Sequence, residues 1–363
     1  MANFFCKVLS KIMIERLACL LPCLVSDEKG VFQKGKIISA NIGLASELAN
    51  LLYTSIRGGG MGIKVDVQKA YDTLILILLN GGLVGFFGVE RGLRQGDPIS
   101  PMLFILVEEV LSRGLYSLLK EGKLKALPGP RGVSVPSHLL YVDDIFIFMN
   151  AAAKHVHCLR EFLLKYQEFF GQSFNLEKSK IFFSKVAPHG KRFIADLLNI
   201  PICSLLIRYL GVEIFKGIVK KDRMLPLMDK IKARMQGWRG KLLPIHNFLV
   251  YWWPESVIII VERWMRNFLW SWDIDTVKKI SVKWEEVCKP KAEGGLGIRR
   301  LRDVNCAGLS KLVWQMKHEK TAFSSFLWVR FVNEGGVLKK GYKSSFVLKG
   351  IAKMWNFVSE AER

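Results

Sequence analysis

The strongest constraint on the fold is a pair of adjacent carboxylates, Asp143 and Asp144, between two apolar runs. The runs His138 to Tyr141 and Ile145 to Met149 are rich in β-branched and aromatic residues, which predicts strand, tight turn, strand. Two anionic side chains at the tip of a buried hairpin repel each other and lose hydration. An oxygen-only site of this kind favours Mg²⁺ or Mn²⁺. The alternative is an ordinary Asp-containing turn.

The charge balance indicates the class of partner. The 363 residues include 54 Lys and Arg against 32 Asp and Glu, a formal net charge of +22, and half of the chain is apolar. Such a chain is globular and long enough for two or three domains. The basic surplus predicts a polyanionic partner, nucleic acid first and an anionic membrane surface second, with a generally solubilising surface as the alternative.

Cysteine usage and hydropathy indicate the compartment. Seven cysteines are scattered without a CxxC pair, which argues against a disulfide framework or zinc ribbon and favours the nucleus or cytosol. The longest apolar runs are too short to span a membrane. Residues 3–25 are apolar at helical spacing but are interrupted by Lys11, Glu15 and Arg16. They predict an amphipathic helix rather than a signal peptide.

A third carboxylate, Asp66, lies in a predicted buried strand, Ile63 to Val67, before a helix that opens at Lys69. A lone Asp in a strand is commonly an edge or strand-end residue. Together with Asp143 and Asp144 it can instead complete a two-metal site, because polymerases hold two divalent ions about 3.5–4 Å apart between oxygen ligands. One ion then activates the primer 3′-hydroxyl and the other clamps the triphosphate.

A glycine-broken basic loop, Arg91 to Gly96, precedes helix-start signals at Asp97-Pro98 and Ser100-Pro101. In each pair we expect the Asp or Ser side chain to cap the helix that continues to about Leu119. Backbone N–H groups and Arg94 at a helix N-terminus form a phosphate seat. A simple loop followed by a cap is the alternative.

Further along, the patterns alternate between helix and short strands. We predict a helix over 158–171, a turn into a strand over 175–183, a hairpin over 208–214, a basic helical segment over 220–241 and a final helix over 303–318. The basic segment suits packing against a nucleic-acid duplex. Most of the tryptophans that follow it are expected to be core residues.

The order of these motifs resembles that of reverse transcriptases. Lys64 to Asp72, Arg91 to Pro101 and Tyr141 to Asp144 resemble palm motifs A, B and C. The form Gly-Leu-Arg-Gln-Gly-Asp-Pro-Ile-Ser-Pro is similar to that of LINE-type (non-LTR) retrotransposons, and the tail, Phe268 to Trp270 and Trp284 to Gly297, is similar to the region beyond the thumb in plant LINE polyproteins. Asn175 to Ser179 resembles motif D, and Tyr209 to Gly211 resembles motif E.

The resemblance implies an α+β fold, a right-hand polymerase palm of antiparallel sheet with helices. It implies partial fingers over residues 1–60, a palm over 61–215, a thumb-like basic helical region over 216–280 and a C-terminal helical extension over 281–363. We therefore expect the chain to lack the start of the fingers.

The resemblance also implies an activity, RNA-directed DNA synthesis by two-metal nucleotidyl transfer onto a primer 3′-hydroxyl. It implies Mg²⁺ or Mn²⁺ as cofactor, an RNA template, a DNA primer and dNTPs as partners, and no membrane partner. The residues it implies for catalysis and metal binding are Asp66, Asp143 and Asp144. For nucleotide binding they are Tyr71, Arg94, Gln95, Gly96 and Lys178, and for the primer grip Tyr209, Leu210 and Gly211.

One departure from the family pattern favours a second hypothesis. Asp72 and Arg91 are only 91 − 72 = 19 positions apart, whereas members of the family carry several dozen residues there. This span accommodates a minimal crossover but no family insertion. The alternative is accordingly a catalytically inactive retrotransposon remnant or a domesticated nucleic-acid-binding protein.

Overall fold

The computed structural model describes residues 4–26, 38–54, 57–68, 97–204, 207–214, 221–236, 250–279, 281–319, 321–339 and 345–362. Helices and an antiparallel sheet are mixed along these ranges, which confirms the predicted α+β class. The strands are β1 Gly60–Gln68, β2 His138–Tyr141, β3 Asp144–Asn150, β4 Ser173–Phe174, β5 Lys180–Ser184, β6 Ile207–Tyr209 and β7 Val212–Ile214. The helices are α1 Phe4–Leu24, α2 Ile38–Leu51, α3 Ser100–Lys120, α4 Ala153–Phe170, α5 Pro188–Leu198, α6 Lys221–Gln236, α7 Glu255–Ser271, α8 Trp284–Val287, α9 Leu301–His318, α10 Ala322–Phe331 and α11 Phe346–Ala361.

The main sheet is organised around β1. On one side β1 pairs antiparallel with β3, and β3 pairs with β2. On the other side β1 pairs with both β4 and β5, β4 near its end and β5 near its start. The chain between these two short strands, residues 175–179, therefore leaves the sheet edge beside Asp66. A separate two-stranded hairpin is formed by β6 and β7.

The two faces of the sheet contact two different hydrophobic cores, because successive strand residues point to opposite faces. Met61, Ile63, Val65 and Val67 of β1 face a core that includes apolar residues of α3 and α4. The opposite face carries Phe146, Phe148 and Phe182 and packs on the β6–β7 hairpin. A Cβ at Gly62 would lie 2.2 Å from the Phe182 ring, so only glycine fits below that ring.

The second core joins segments from both ends of the chain. Apolar residues of α2, the β6–β7 hairpin, α6, α7 and α9 to α11 belong to one buried cluster. At its polar centre the fully buried Glu47 of α2 accepts hydrogen bonds from Arg330 Nε, at 2.9 Å, and from Ser345 Oγ. Because this cluster draws on all four of the expected domains, the boundaries at 60, 215 and 280 remain predictions.

Within the described residues the predicted helices and hairpins are present, with shifted ends. The helix expected to open at Lys69 lies outside the described residues, as do the last residues of the basic segment, 237–241. The helix predicted as final was not the last, because α10 and α11 follow it. The helix expected from residue 158 begins at Ala153, and the first helix, predicted over residues 3–25, holds Pro22 inside its last turn. A proline there removes a single backbone donor, so the helix continues to Leu24. No helix in the described part of the chain is long and apolar enough to cross a membrane.

Candidate functional site

The Asp143-Asp144 hairpin has the predicted form. Tyr141 pairs with Asp144, so Val142 and Asp143 make a two-residue turn between β2 and β3. Val142 has a φ of 54°. This left-handed backbone is unfavourable for a β-branched residue, so the turn is strained at the residue that precedes both carboxylates.

The sheet register brings Asp66 to this turn. Asp66 pairs with Asp144, and Val67 N–H donates to the carbonyl oxygen of Asp143 at 3.1 Å. Directly opposed residues of an antiparallel pair point to the same face, with Cβ atoms about 4.5–5.5 Å apart. The backbone therefore places Asp66 and Asp144 side by side on one face, with Asp143 in the adjoining turn.

The turn at residues 175–179 fixes the backbone of Asp66. Asp66 N–H donates to Ser179 Oγ at 3.1 Å, and Asn175 N–H donates to the Asp66 carbonyl oxygen at 2.8 Å. Ser179 Oγ in turn donates to the Asn175 carbonyl oxygen at 2.7 Å, and Ser179 is fully buried. At Asp66, hydrogen bonds from the side chains and backbone of this turn thus take the place of those that a continuous neighbouring strand would make.

Lys64 makes the closest charged contact in the site. Its Nζ lies 2.6 Å from Asp144 Oδ1 and donates to the Arg208 carbonyl oxygen at 3.1 Å. The Lys64 and Asp144 side chains are each 18% exposed. Lys64 shares a face with Asp66 because the two are separated by one residue in β1. The lysine therefore links a predicted catalytic carboxylate to the β6–β7 hairpin.

The pKa of the Asp144 carboxyl group depends on burial, on two negatively charged neighbours and on one positively charged neighbour. Burial raises the pKa of its carboxyl group, and the negative charges of Asp143 and Asp66 also raise it. The hydrogen bond and positive charge of Lys64 lower this pKa without reversing the net increase. A further cation at the site would favour the ionised form of all three carboxyl groups.

The residues fit a divalent metal in donor type and backbone placement. Oxygen ligands are those that Mg²⁺ and Mn²⁺ prefer, and the register brings three carboxylate-bearing residues together. Over the described ranges, however, no three His, Cys, Asp or Glu side chains are grouped closely enough to hold one ion. The Asp144 carboxylate contacts Lys64 instead. The lysine therefore occupies one of the two oxygens of a carboxylate that a three-carboxylate site would use.

The predicted primer grip is a hairpin anchored by its tyrosine. Tyr209 is fully buried, and its ring centroid lies 4.8 Å from that of Phe146. Burial raises the pKa of Tyr209 well above its ordinary value. Leu210 and Gly211 form the turn with φ of 49° and 83° and are half-buried. The tyrosine therefore positions the hairpin from within, and its turn is the accessible part.

The remaining predicted site residues fall into two groups. Lys178 is exposed on the 175–179 turn, where its N–H donates to Asn175 Oδ1 at 3.1 Å. The other predicted nucleotide-binding residues lie outside the described residues; these are Tyr71, Arg94, Gln95 and Gly96. The loop over residues 91–96, predicted to bind phosphate, also lies outside them.

The capping prediction before α3 was wrong in part. The cap residue is Ile99, which makes no side-chain cap bond, and Ser100 is already helical. Asp97 Oδ1 instead accepts from Ile99 N–H at 3.2 Å. The helix starts one residue earlier than it would with Ser100 as its cap.

Sequence reasoning missed Lys64 and Ser179 as parts of the site. The spacing of Lys64 and Asp66 places both on one strand face, and that signal was available once β1 was predicted. The contact with Asp144 needed the register between β1 and β3. The role of Ser179 depends on a turn that leaves the sheet edge, which strand periodicity does not encode.

Comparison with known proteins relates the chain to one family. Residues 1–214 match the family described as Reverse transcriptase (RNA-dependent DNA polymerase). The chain is 32% identical over 120 residues to a "Putative ribonuclease H protein" of Arabidopsis thaliana, covering 29% of this chain and 19% of that protein. It is 41% identical over 70 residues to an "Uncharacterized mitochondrial protein" of the same plant, covering 19% of this chain and 57% of that protein. The matches thus span less than two thirds of either relative.

Proposed function

The chain belongs to the reverse transcriptase (RNA-dependent DNA polymerase) family, and we propose that it is the polymerase of a plant LINE-type (non-LTR) retrotransposon. The observation that carries this proposal is the register that sets Asp66 opposite Asp144 with Asp143 in the adjoining turn. A two-metal polymerase site needs oxygen ligands held close together, and this register brings three carboxylate-bearing residues together. The proposed reaction is nucleotidyl transfer from a dNTP onto a primer 3′-hydroxyl, directed by an RNA template.

In this proposal the three carboxylates would hold Mg²⁺ or Mn²⁺. When bound, such ions would supply a lowered pKa of the primer hydroxyl and charge neutralisation of the leaving pyrophosphate. Asp66 and Asp143 are the principal ligands, and Asp144 shapes the site. Ser179 holds the backbone of Asp66, and Lys64 holds Asp144 until it exchanges the carboxylate.

The other roles extend from this centre. Lys178 stands on the turn that holds Asp66, which suits a contact with the pyrophosphate. The Leu210-Gly211 turn, anchored by Tyr209, serves as the primer grip, and Lys64 connects it to Asp144. We assign the nucleotide pocket to Tyr71, Arg94, Gln95 and Gly96. We also propose fingers over 1–60, palm over 61–215, thumb over 216–280 and an extension over 281–363, in the nucleus or cytoplasm.

A second candidate is an inactive remnant that retains nucleic-acid binding. The ion pair between Lys64 and Asp144 favours it, because the lysine occupies a carboxylate that metal binding would use. The span of 91 − 72 = 19 positions between Asp72 and Arg91 also favours it, because it shortens the segment between motifs A and B.

Primer extension separates the two candidates. Purified protein is given a DNA primer on an RNA template, dNTPs and either Mg²⁺ or Mn²⁺. We expect extension by the wild type, none by Asp143→Asn, and unchanged extension by Asp196→Asn, which alters an exposed carboxylate on α5. Salt-dependent template–primer binding without extension under either metal would contradict the polymerase and support the remnant.

A further inference from the structure

A surface cavity of about 940 Å³ lies at the other end of the main sheet from the carboxylates. Asn150, which pairs with Gly60 at the start of β1, is part of its lining. Asp66 is six residues further along β1, or about 20 Å at roughly 3.3 Å per residue. The cavity is therefore separate from the proposed active site.

The lining of this cavity is strongly basic. Four cationic side chains, all exposed, contribute to it from three different segments of the chain: Arg57, Lys120, Lys125 and Lys154. Among the described lining residues there is no Asp or Glu. The nearby Glu121 carboxylate is paired with Lys123 Nζ at 2.7 Å, and neither residue lines the cavity. Such a set of cations attracts an anion with several separated charges.

The start of α4 adds to this positive potential. Its cap residue, Ala152, lines the cavity and has no side chain that can accept from the first-turn N–H groups. An uncapped helix N-terminus carries a partial positive charge of about half an elementary charge. The helix end and Lys154 in its first turn therefore favour the same negatively charged ligand.

An exposed aromatic side chain indicates which polyanion fits. Tyr116 of α3 also lines the cavity, and 61% of it is exposed. A groove of cations beside an accessible aromatic ring is typical of proteins that bind single-stranded nucleic acid. A base-paired duplex presents no free base face to such a ring, whereas an unpaired base can stack on it.

We propose that this cavity binds single-stranded nucleic acid, with phosphodiesters on the four cations and an unpaired base on Tyr116. Binding there does not depend on Asp66, Asp143 or Asp144, or on whether the chain polymerises. In the proposed polymerase it would hold a strand about 20 Å from the carboxylates.

Fluorescence anisotropy without divalent metal tests the site in the full chain carrying Asp143→Asn. The probes are a labelled 12-nucleotide single-stranded RNA and a DNA of the same sequence. The cavity variant is Lys120→Glu/Lys125→Glu/Lys154→Glu. Its matched control, Arg160→Glu/Lys165→Glu/Arg192→Glu, changes the same charge at three exposed positions away from the cavity.

We expect the cavity variant to bind at least about tenfold more weakly than the control. Its slope of log K against log salt should fall by about 2, because each lost phosphate contact on a single strand accounts for about 0.7. A triple Lys→Gln variant with an unchanged melting temperature separates this loss from misfolding. Equal losses in the cavity and control variants would overturn the proposal.

Tyr116 gives a second, independent measurement. Tyr116→Ala should weaken binding by about 5- to 100-fold without changing the salt slope, and Tyr116→Phe should retain wild-type affinity, because the ring stacks and the hydroxyl does not. No loss in Tyr116→Ala would contradict the stacking. Primer extension is not part of this measurement, so an inactive polymerase leaves its outcome unaffected.

Discussion

Among the carboxylates that pair with a basic side chain, Glu47 and Asp144 differ in their surroundings. Glu47 is fully buried and accepts from Arg330 Nε, Ser345 Oγ and Asn50 Nδ2. Asp144 is half-buried at the end of a hairpin, and Lys64 is the one described residue within hydrogen-bond distance of its carboxylate. Burial raises the pKa of both carboxyl groups.

This difference in surroundings distinguishes Glu47, whose carboxylate has a structural role, from Asp144, whose carboxylate is available to a ligand. The oxygens of Glu47 are occupied by a planar guanidinium, a hydroxyl and an amide held by three helices or helix ends, so no room remains for exchange. Asp144 has a single partner on a flexible four-carbon chain, and its two negative neighbours repel it. An ammonium group held this way can be displaced by a divalent cation.

The largest effect should come from breaking the buried pair. Arg330→Met leaves Glu47 without its charged partner inside the second core, and we expect the free energy of unfolding to fall by about 3–5 kcal/mol. Urea denaturation measures this. Lys289→Met is the matched control, since it removes an exposed partner of Glu286 and should leave the unfolding transition almost unchanged. A similar small effect of both variants would break the comparison.

The pH dependence of the buried pair is the next test. Burial raises the pKa of Glu47 in the folded state, so its contribution to stability is complete below the ordinary glutamate pKa of about 4.3 and is lost as pH rises through the higher folded value. Wild type should therefore lose stability relative to Glu47→Gln as pH increases over that window. Parallel urea titrations of the two proteins give the difference, and an opposite slope would show that Arg330 outweighs desolvation.

The pair of Lys64 and Asp144 should tolerate substitution better than the buried pair of Arg330 and Glu47. Lys64→Met removes the ion pair with Asp144 and the hydrogen bond to the Arg208 carbonyl oxygen at a side chain that is 18% exposed, so we expect a loss of about 1–2 kcal/mol, less than for Arg330→Met. Mg²⁺ should then raise the melting temperature of Lys64→Met more than that of wild type, because no lysine has to leave Asp144. Lys165→Met, an exposed change on α4, should respond to Mg²⁺ as wild type does. Identical Mg²⁺ responses of all three proteins would contradict displacement.

The smallest effect concerns the support of Asp66. Ser179→Ala removes the acceptor for Asp66 N–H and should cost about 1 kcal/mol. Ser184→Ala is its control, because Ser184 Oγ is buried and has no hydrogen-bond partner among the described residues. We expect the control to keep wild-type stability and extension rate, whereas Ser179→Ala slows extension. Equal extension rates for both variants would show that Ser179 does not support the site.

The sequence predicted the parts of this comparison that depend on local pattern. The apolar, β-branched and aromatic runs around Asp143 and Asp144 predicted the β2–β3 hairpin, and the resemblance placed Asp66 with it. The ion pair of Glu47 was not predictable, because it joins α2 to α10 across most of the chain. The contact between Lys64 and Asp144 was not predictable for a related reason, because it depends on the register between strands that are far apart in sequence. Long-range register and packing decide such contacts, and periodicity does not.

The left-handed Val142 has a consequence for stability. A β-branched residue in that conformation costs about 1–2 kcal/mol, and glycine at the same position would recover much of it. Val142→Gly should therefore raise the free energy of unfolding, while the freer glycine backbone would loosen the turn that holds Asp143. Stability and the placement of this carboxylate are thus set against each other at a single residue.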